Sequence, residues 1–179
     1  MEVIASSNSW AEFDAKLGEL GTDGDHSKDK GNAFEVLTKL YPQTNPTHSL
    51  KIKHIWNHWD IPQEVMDELF LERPEISVDL VAQVKDGTYW AIQCKFRQDP
   101  TPNLQVDELG SFFTFTDRGV NARKISKRLI CTSTNDLGRN FRREGAPVGP
   151  ELSKLTFPKF IGSSLKTSLL MFSLLFGTD

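Results

Sequence analysis

The sequence predicts an α/β fold, a mixed β-sheet flanked by helices, and three observations carry that expectation. Residues 78–96 hold two apolar, β-branched and aromatic stretches joined by Lys85-Asp86-Gly87, which is the pattern of a hairpin. Apolar residues recur at helical spacing on either side of it, before residue 42 and after residue 104. A short apolar run at 128–133 supplies a further strand of the fully buried kind.

Each element can be justified in turn. Trp10, Phe13, Leu17 and Leu20 fall on one face of a helix over 7–20, with Ser9 as its cap. GTDGDHSKD at 21–29 reads as a polar loop. Ala33, Val36, Leu37 and Leu40 then mark a second helix over 30–41, and Pro42 should stop it. LKIKHIW at 50–56 alternates as a strand, and a polar insertion with Pro62 and Pro74 follows, holding a short helix at 64–71. The hairpin strands are 78–84 and 89–96. An amphipathic helix over 104–116 turns Val106, Leu109, Phe112 and Phe113 inward, and 137–144 reads as a last helix.

Bulk properties narrow the function classes. The chain has 179 residues, 38% hydrophobic and 25% charged, enough to bury a core and unlike a disordered composition. Its net charge of −3 argues against a general coat of positive charge. Cys94 and Cys131 sit far apart in apolar runs, so neither a disulfide framework nor a CxxC metal site is expected, and a reducing cytoplasm fits. MEVIASSNSW lacks the order of a secretion signal. LKTSLLMFSLLF at 165–176 is apolar but short for a membrane span and interrupted by Lys166. It reads as a buried or docking helix, with a membrane-surface segment or a tail against a neighbouring domain as the alternatives.

The hairpin carries the chemistry. Side chains alternate along a strand, so Gln93 and Lys95 share a face while Trp90, Ile92, Cys94 and Phe96 define the opposite, core side. Asp79 lies between Val78 and Leu80, a carboxylate in an apolar run that needs a cation, a metal or strong hydrogen bonds. Each residue has a plainer reading: Asp79 as an ion pair with Lys95, and Gln93 as a cross-strand hydrogen-bonder. Together, apolar-Asp-apolar, a short turn and apolar-Gln-x-Lys supply a hard oxygen ligand, an amide and a cation. Metal-assisted phosphodiester hydrolysis requires such a set. The four histidines show no zinc spacing with a cysteine. No GxxxxGK[ST] loop is present, so no ATP site is expected in this chain. From Asp117 to Glu144, eight basic residues stand against three acidic ones, which suggests a phosphate-binding stripe or else a solvated basic face.

VDLVAQVKDGTYWAIQCKF resembles the core of the Mrr-like restriction endonucleases of the PD-(D/E)xK nuclease superfamily. More closely, it resembles the nuclease domain at the N-terminus of restriction enzymes that also carry a helicase and a methyltransferase. KGNAFE at 30–35, IWNHWDIP at 55–62 and the helix from residue 104 fall in the expected order, and the likeness covers about 28–135. It implies a restriction-endonuclease-like fold and three parts: an N-terminal helix and loop at 1–27, an Mrr-like nuclease core at 28–145, and an extension at 146–179. It implies Asp79, Gln93 and Lys95 as catalytic residues. Asp79, Gln93 and the Cys94 backbone carbonyl, with Glu35, would hold Mg2+, for which Mn2+ substitutes. Ser77 departs from the Gly often found there. Glu35 also has a plainer reading, a solvated pair with Lys39 four residues on.

The function implied is a metal-dependent endodeoxyribonuclease of a bacterial restriction or defence system. DNA would be met by Arg97, Arg123, Lys124, Lys127 and Arg128. A helicase/methyltransferase region or subunit is the expected partner, with a homodimer on DNA as another. Two rivals stand beside this: a non-catalytic DNA-binding or regulatory module of the same fold, and a repair or resolvase-type nuclease.

Overall fold

Two strand-forming stretches and a Lys-Asp-Gly turn build the middle of the molecule. β2 (Leu80–Val84) and β3 (Tyr89–Lys95) pair antiparallel, with Leu80 opposite Ile92 and Gln83 opposite Tyr89. Gly87 takes φ 87°, a region that side chains disfavour, and its N–H donates to the Val84 carbonyl at 3.0 Å. The Asp86 carboxylate accepts from the N–H and the hydroxyl of Thr88 at 2.9 and 2.7 Å, which closes the turn and lowers the Asp86 pKa.

The computed structural model describes residues 3, 6–7, 10–21, 24–44, 46–72, 77–99, 101–134 and 151–156. β1 (Ile52–Asn57) pairs antiparallel with β2, while β4 (Ile125–Thr132) lies parallel to β3, and β5 (Glu151–Thr156) lies parallel to β4. The result is a five-stranded mixed sheet in the order β1-β2-β3-β4-β5. A parallel pair needs a long crossover. Here it contains a 3₁₀ turn (Val106–Leu109) and two helices, α5 (Gly110–Thr116) and α6 (Asn121–Lys124). The preceding helices are α1 (Trp10–Glu19), α2 (Gly24–Thr44), α3 (Pro46–Ser49) and α4 (Gln63–Glu68).

Helices cover both faces of the sheet. Phe13 and Leu17 of α1 and Phe34 and Leu37 of α2 pack over Leu80, Trp90 and Ile92. Val65 and Met66 of α4 and Phe112 and Phe115 of α5 pack over Val81, Tyr89 and Ala91. The sequence expectation of one core face on β3 is therefore corrected: Tyr89 and Ala91 are as buried as Trp90 and Ile92. Only from Gln93 onward does the strand emerge from the core.

Several boundaries differ from the sequence reading. Gly21, at φ 75°, follows α1. α2 begins at Gly24 and runs through Pro42 to Thr44. Proline removes one helical N–H, a loss confined to the last turns of a helix docked on the sheet by Phe34 and Leu37. The helix expected over 104–116 breaks into the 3₁₀ turn and α5, and it buries Phe115 fully while Phe113 is only partly covered. β4 starts three residues early, at Ile125, and β5 is an addition to the expected elements. The Ser9 cap, the 137–144 helix and the 165–176 segment lie outside the described residues.

Candidate active site

Asp79 is fixed by its backbone before its side chain acts. Its N–H donates to the Ile92 carbonyl at 3.1 Å, and its carbonyl accepts from the His58 N–H at 2.8 Å. The residue is thus pinned between β3 and the chain leaving β1. Its carboxylate accepts from the Cys94 N–H at 2.6 Å and from Gln93 Nε2 at 2.5 Å. Asp79 precedes Leu80, whose partner is Ile92, so Asp79 stands opposite Gln93 at the same end of the hairpin. Lys95 is close enough that its charge favours the ionised carboxylate. Asp79, Gln93 and Lys95 are brought together.

The Cys94 backbone faces the same place. Ile92 turns its carbonyl towards Asp79, and along a strand alternate carbonyls point to the same side, so the Cys94 carbonyl does too. The Cys94 thiol packs into the α1–α2 side of the core, and burial pushes its pKa well up. It is a small hydrophobe, as its position in the sequence implies.

The chain leaving β4 braces the end of β3, where Lys95 stands. The Ser133 N–H donates to the Lys95 carbonyl at 3.2 Å. Its hydroxyl accepts from the Arg97 N–H at 2.6 Å and donates to the Arg97 carbonyl at 2.9 Å. Thr132, Ser133 and Thr134 are all buried, and the Thr132 and Thr134 hydroxyls are 2.9 Å apart. This polar group went unread in the sequence. Its only signal is a Thr-Ser-Thr run directly after an apolar strand.

Glu35 overturns its surface reading. Lys39 lies 3.8 Å from Asp60 instead, and Glu35 turns towards Asp79, Asn57 and His58. Glu35 Oε2 is 3.7 Å from His58 Nδ1. Among the described residues no hydrogen-bond donor meets this buried oxygen in bonding geometry. Burial first, then repulsion by Asp79, pushes the Glu35 pKa up to about 8, and Asn57 offsets this only in part. Burial likewise pushes Asp79 up to about 6, against the Cys94 N–H and the Lys95 charge. Two largely buried carboxyls held side by side favour a cation between them.

The donor chemistry fits a hard divalent ion. Among the described residues no three His, Cys, Asp or Glu side chains group to hold a metal. Beyond the two carboxylates, the oxygens the described residues bring to this place come from an amide and a backbone carbonyl, and water completes the shell of such an ion. Gln93 and Cys94 offer those oxygens, which suit Mg2+ better than zinc.

Comparison with known proteins bears on the fold and the family. The Mrr_cat_2 family, described as restriction endonuclease, matches residues 43–170, more than half of the chain. The chain belongs to this restriction endonuclease family. Glu35 lies just before the matched span. Of solved structures, the ATP-dependent Type ISP restriction-modification enzyme LlaBIII bound to DNA is 27% identical, with a TM-score of 0.51. That match covers 72% of this chain but 8% of LlaBIII, so the restriction endonuclease domain spans a small part of that enzyme. A crystal structure of a protein of unknown function shares 21% identity over 57% of this chain and 54% of its own, with a TM-score of 0.35. No curated protein matches.

The expected DNA-binding residues of this restriction endonuclease domain do not form one surface. Arg128 is 1% exposed, pairs with Asp117 at 3.0 Å and lies over the Phe113 ring, so it is a core residue and not a DNA contact. Arg123, Lys124 and Lys127 lie where β4 begins. Ile125 is opposite Tyr89 and Thr132 opposite Lys95, so these cations are at the other end of the sheet from Lys95. At ~3.3 Å per residue the separation along the strands is roughly 16–20 Å. Lys124 pairs with Glu68 at 2.9 Å, and Lys127 lies over Trp90 at 5.3 Å. Arg97 is at the catalytic end but pairs with Glu108. Charge counted along the sequence ignored that a parallel strand returns to the far edge before running back.

Proposed function

We propose that this restriction endonuclease domain hydrolyses DNA phosphodiester bonds with the help of Mg2+, for which Mn2+ substitutes. The observation that carries this reading is the Asp79 carboxylate, held by Gln93 and the Cys94 N–H, with Lys95 near and Glu35 as a second buried carboxyl. Asp79 and Glu35 would hold the ion with charged oxygens, and Gln93 and the Cys94 carbonyl with neutral ones. A divalent ion there supplies Lewis-acid polarisation of the phosphate and a bound water of lowered pKa. Lys95 orients the attacking water and balances the negative charge that grows on the phosphate. Ser133, by fixing the backbone at Lys95 and Arg97, keeps that ammonium in register with Asp79.

The family and the Type ISP likeness support a reading of the wider setting. The domain acts in a bacterial restriction or defence system, in the cytoplasm, beside a helicase/methyltransferase region or subunit that chooses where it cuts. The test is supercoiled plasmid with Mg2+ or Mn2+, with and without EDTA. The expected result is weak nicking or cutting with little sequence preference, abolished by EDTA and unaffected by ATP. No cleavage with either ion, or undiminished cleavage by Lys95→Ala, would overturn the reading.

A further inference from the structure

Among the described residues β1 is an edge strand, paired with β2 on one side only. From Lys51 to Trp59 the chain reads KIKHIWNHW: two lysines, two histidines, two tryptophans and no acidic residue, in a chain of net charge −3. Lys51, Lys53, His54 and Trp59 are exposed. His54 stacks on Trp56 with centroids 5.4 Å apart and planes at 26°, and His58 meets Trp59 edge-on at 4.7 Å. Both ends of this run are tied down. The His58 N–H donates to the Asp79 carbonyl, which places that end at the catalytic centre. At the other end the Lys85 N–H donates to the Lys51 carbonyl at 2.9 Å and brings a third lysine alongside.

We propose that the β1 edge is a track for the backbone of duplex DNA, leading from the cleavage site at His58 out to Lys51 and Lys85. The proposal rests on reading the domain as a DNA nuclease. The six residues of β1, at ~3.3 Å each, cover about 20 Å, the length of roughly six base pairs. Lys51, Lys53 and Lys85, grouped at the far end of that length, meet phosphates, while the flat His54–Trp56 pair nearer the catalytic centre suits sugar and base edges. An open edge also invites pairing with another polypeptide, and Lys51 and Lys53 oppose that outcome. Charge therefore favours the nucleic acid over a protein strand as the occupant.

The test is fluorescence anisotropy in EDTA, with a labelled duplex long enough to span the track. Lys51→Glu with Lys53→Glu should raise Kd about tenfold and flatten the salt slope by about 1.8, the loss of two phosphate contacts. Lys51→Arg with Lys53→Arg should bind as the wild type does. A thermal melt checks the fold, and the Gln pair replaces the Glu pair if the latter fails to fold. Unchanged Kd and salt slope would overturn the track. So would unchanged DNA affinity accompanied by a change in self-association, which would assign the edge to a polypeptide. Binding is read without metal, so wild-type protein that uses the track yet never cuts plasmid strikes only at the nuclease reading.

Discussion

Glu35→Gln should make the metal-free protein more stable at high pH while destroying its activity. The folded Glu35 pKa is raised from 4.5 to about 8, chiefly by burial. Between those values the native state holds a proton that the unfolded chain has lost, so stability falls as pH rises through this window. At about 1.4 kcal/mol per pH unit, the penalty above pH 8 is at most on the order of 4–5 kcal/mol, and relaxation around the charge brings it to about 2–4. Glutamine keeps the shape and carries no charge. Urea unfolding in EDTA should therefore show a gain of about 2 kcal/mol or more at pH 8.5 and almost none at pH 4.5, where the folded Glu35 is as neutral as glutamine. Adding Mg2+ at pH 8.5 should stabilise the wild type more than the variant. A variant equal to or weaker than wild type at pH 8.5 would refute the reasoning, because Glu35 would then bear no buried charge.

Asp79→Ala and Lys95→Ala should each reduce plasmid cleavage by several orders of magnitude. Only the former should also remove the Mg2+-induced rise in Tm, since the two residues serve separate needs. Gln93→Glu should retain cleavage but lower metal-free stability at neutral pH, because a carboxylate would stand 2.5 Å from Asp79 where an amide now donates; a stability profile in EDTA reads this directly. Arg128→Ala should lower stability by about 2–3 kcal/mol through lost packing and the lost Asp117 pair, and leave the salt dependence of DNA binding unchanged. Gly87→Ala should cost about 1 kcal/mol in denaturant unfolding, since φ is 87° there.

The hairpin centre was legible because it is local. Asp79, Gln93 and Lys95 are joined by one tight turn, and the period-2 pattern with Asp-Gly fixes register and face together. Helical spacing by itself could not choose between the two readings of Glu35, for the opposite reason. A helical wheel shows which face is most apolar, but not that β1 and β2 end beneath the helix and offer Asn57, His58 and Asp79 to its flank. The position of the basic residues was hidden likewise, since their end of the sheet depends on β4 running parallel to β3, a pairing set by the crossover and not by any local motif. Arg128 shows the same limit. In sequence it is one more cation, and only the packed Phe113 and Asp117 reveal it as core.

The brevity of the β2–β3 turn has a consequence for how the protein acquires its chemistry. A hairpin closes within microseconds, whereas the β3–β4 pairing must wait for the crossover between them to order. Asp79 and Gln93 therefore meet early on the folding route, and Glu35 joins them only when α2 docks. The ionisation of Asp79 should then appear in the rate of folding and that of Glu35 in the rate of unfolding, so that one active centre is written into both arms of the chevron.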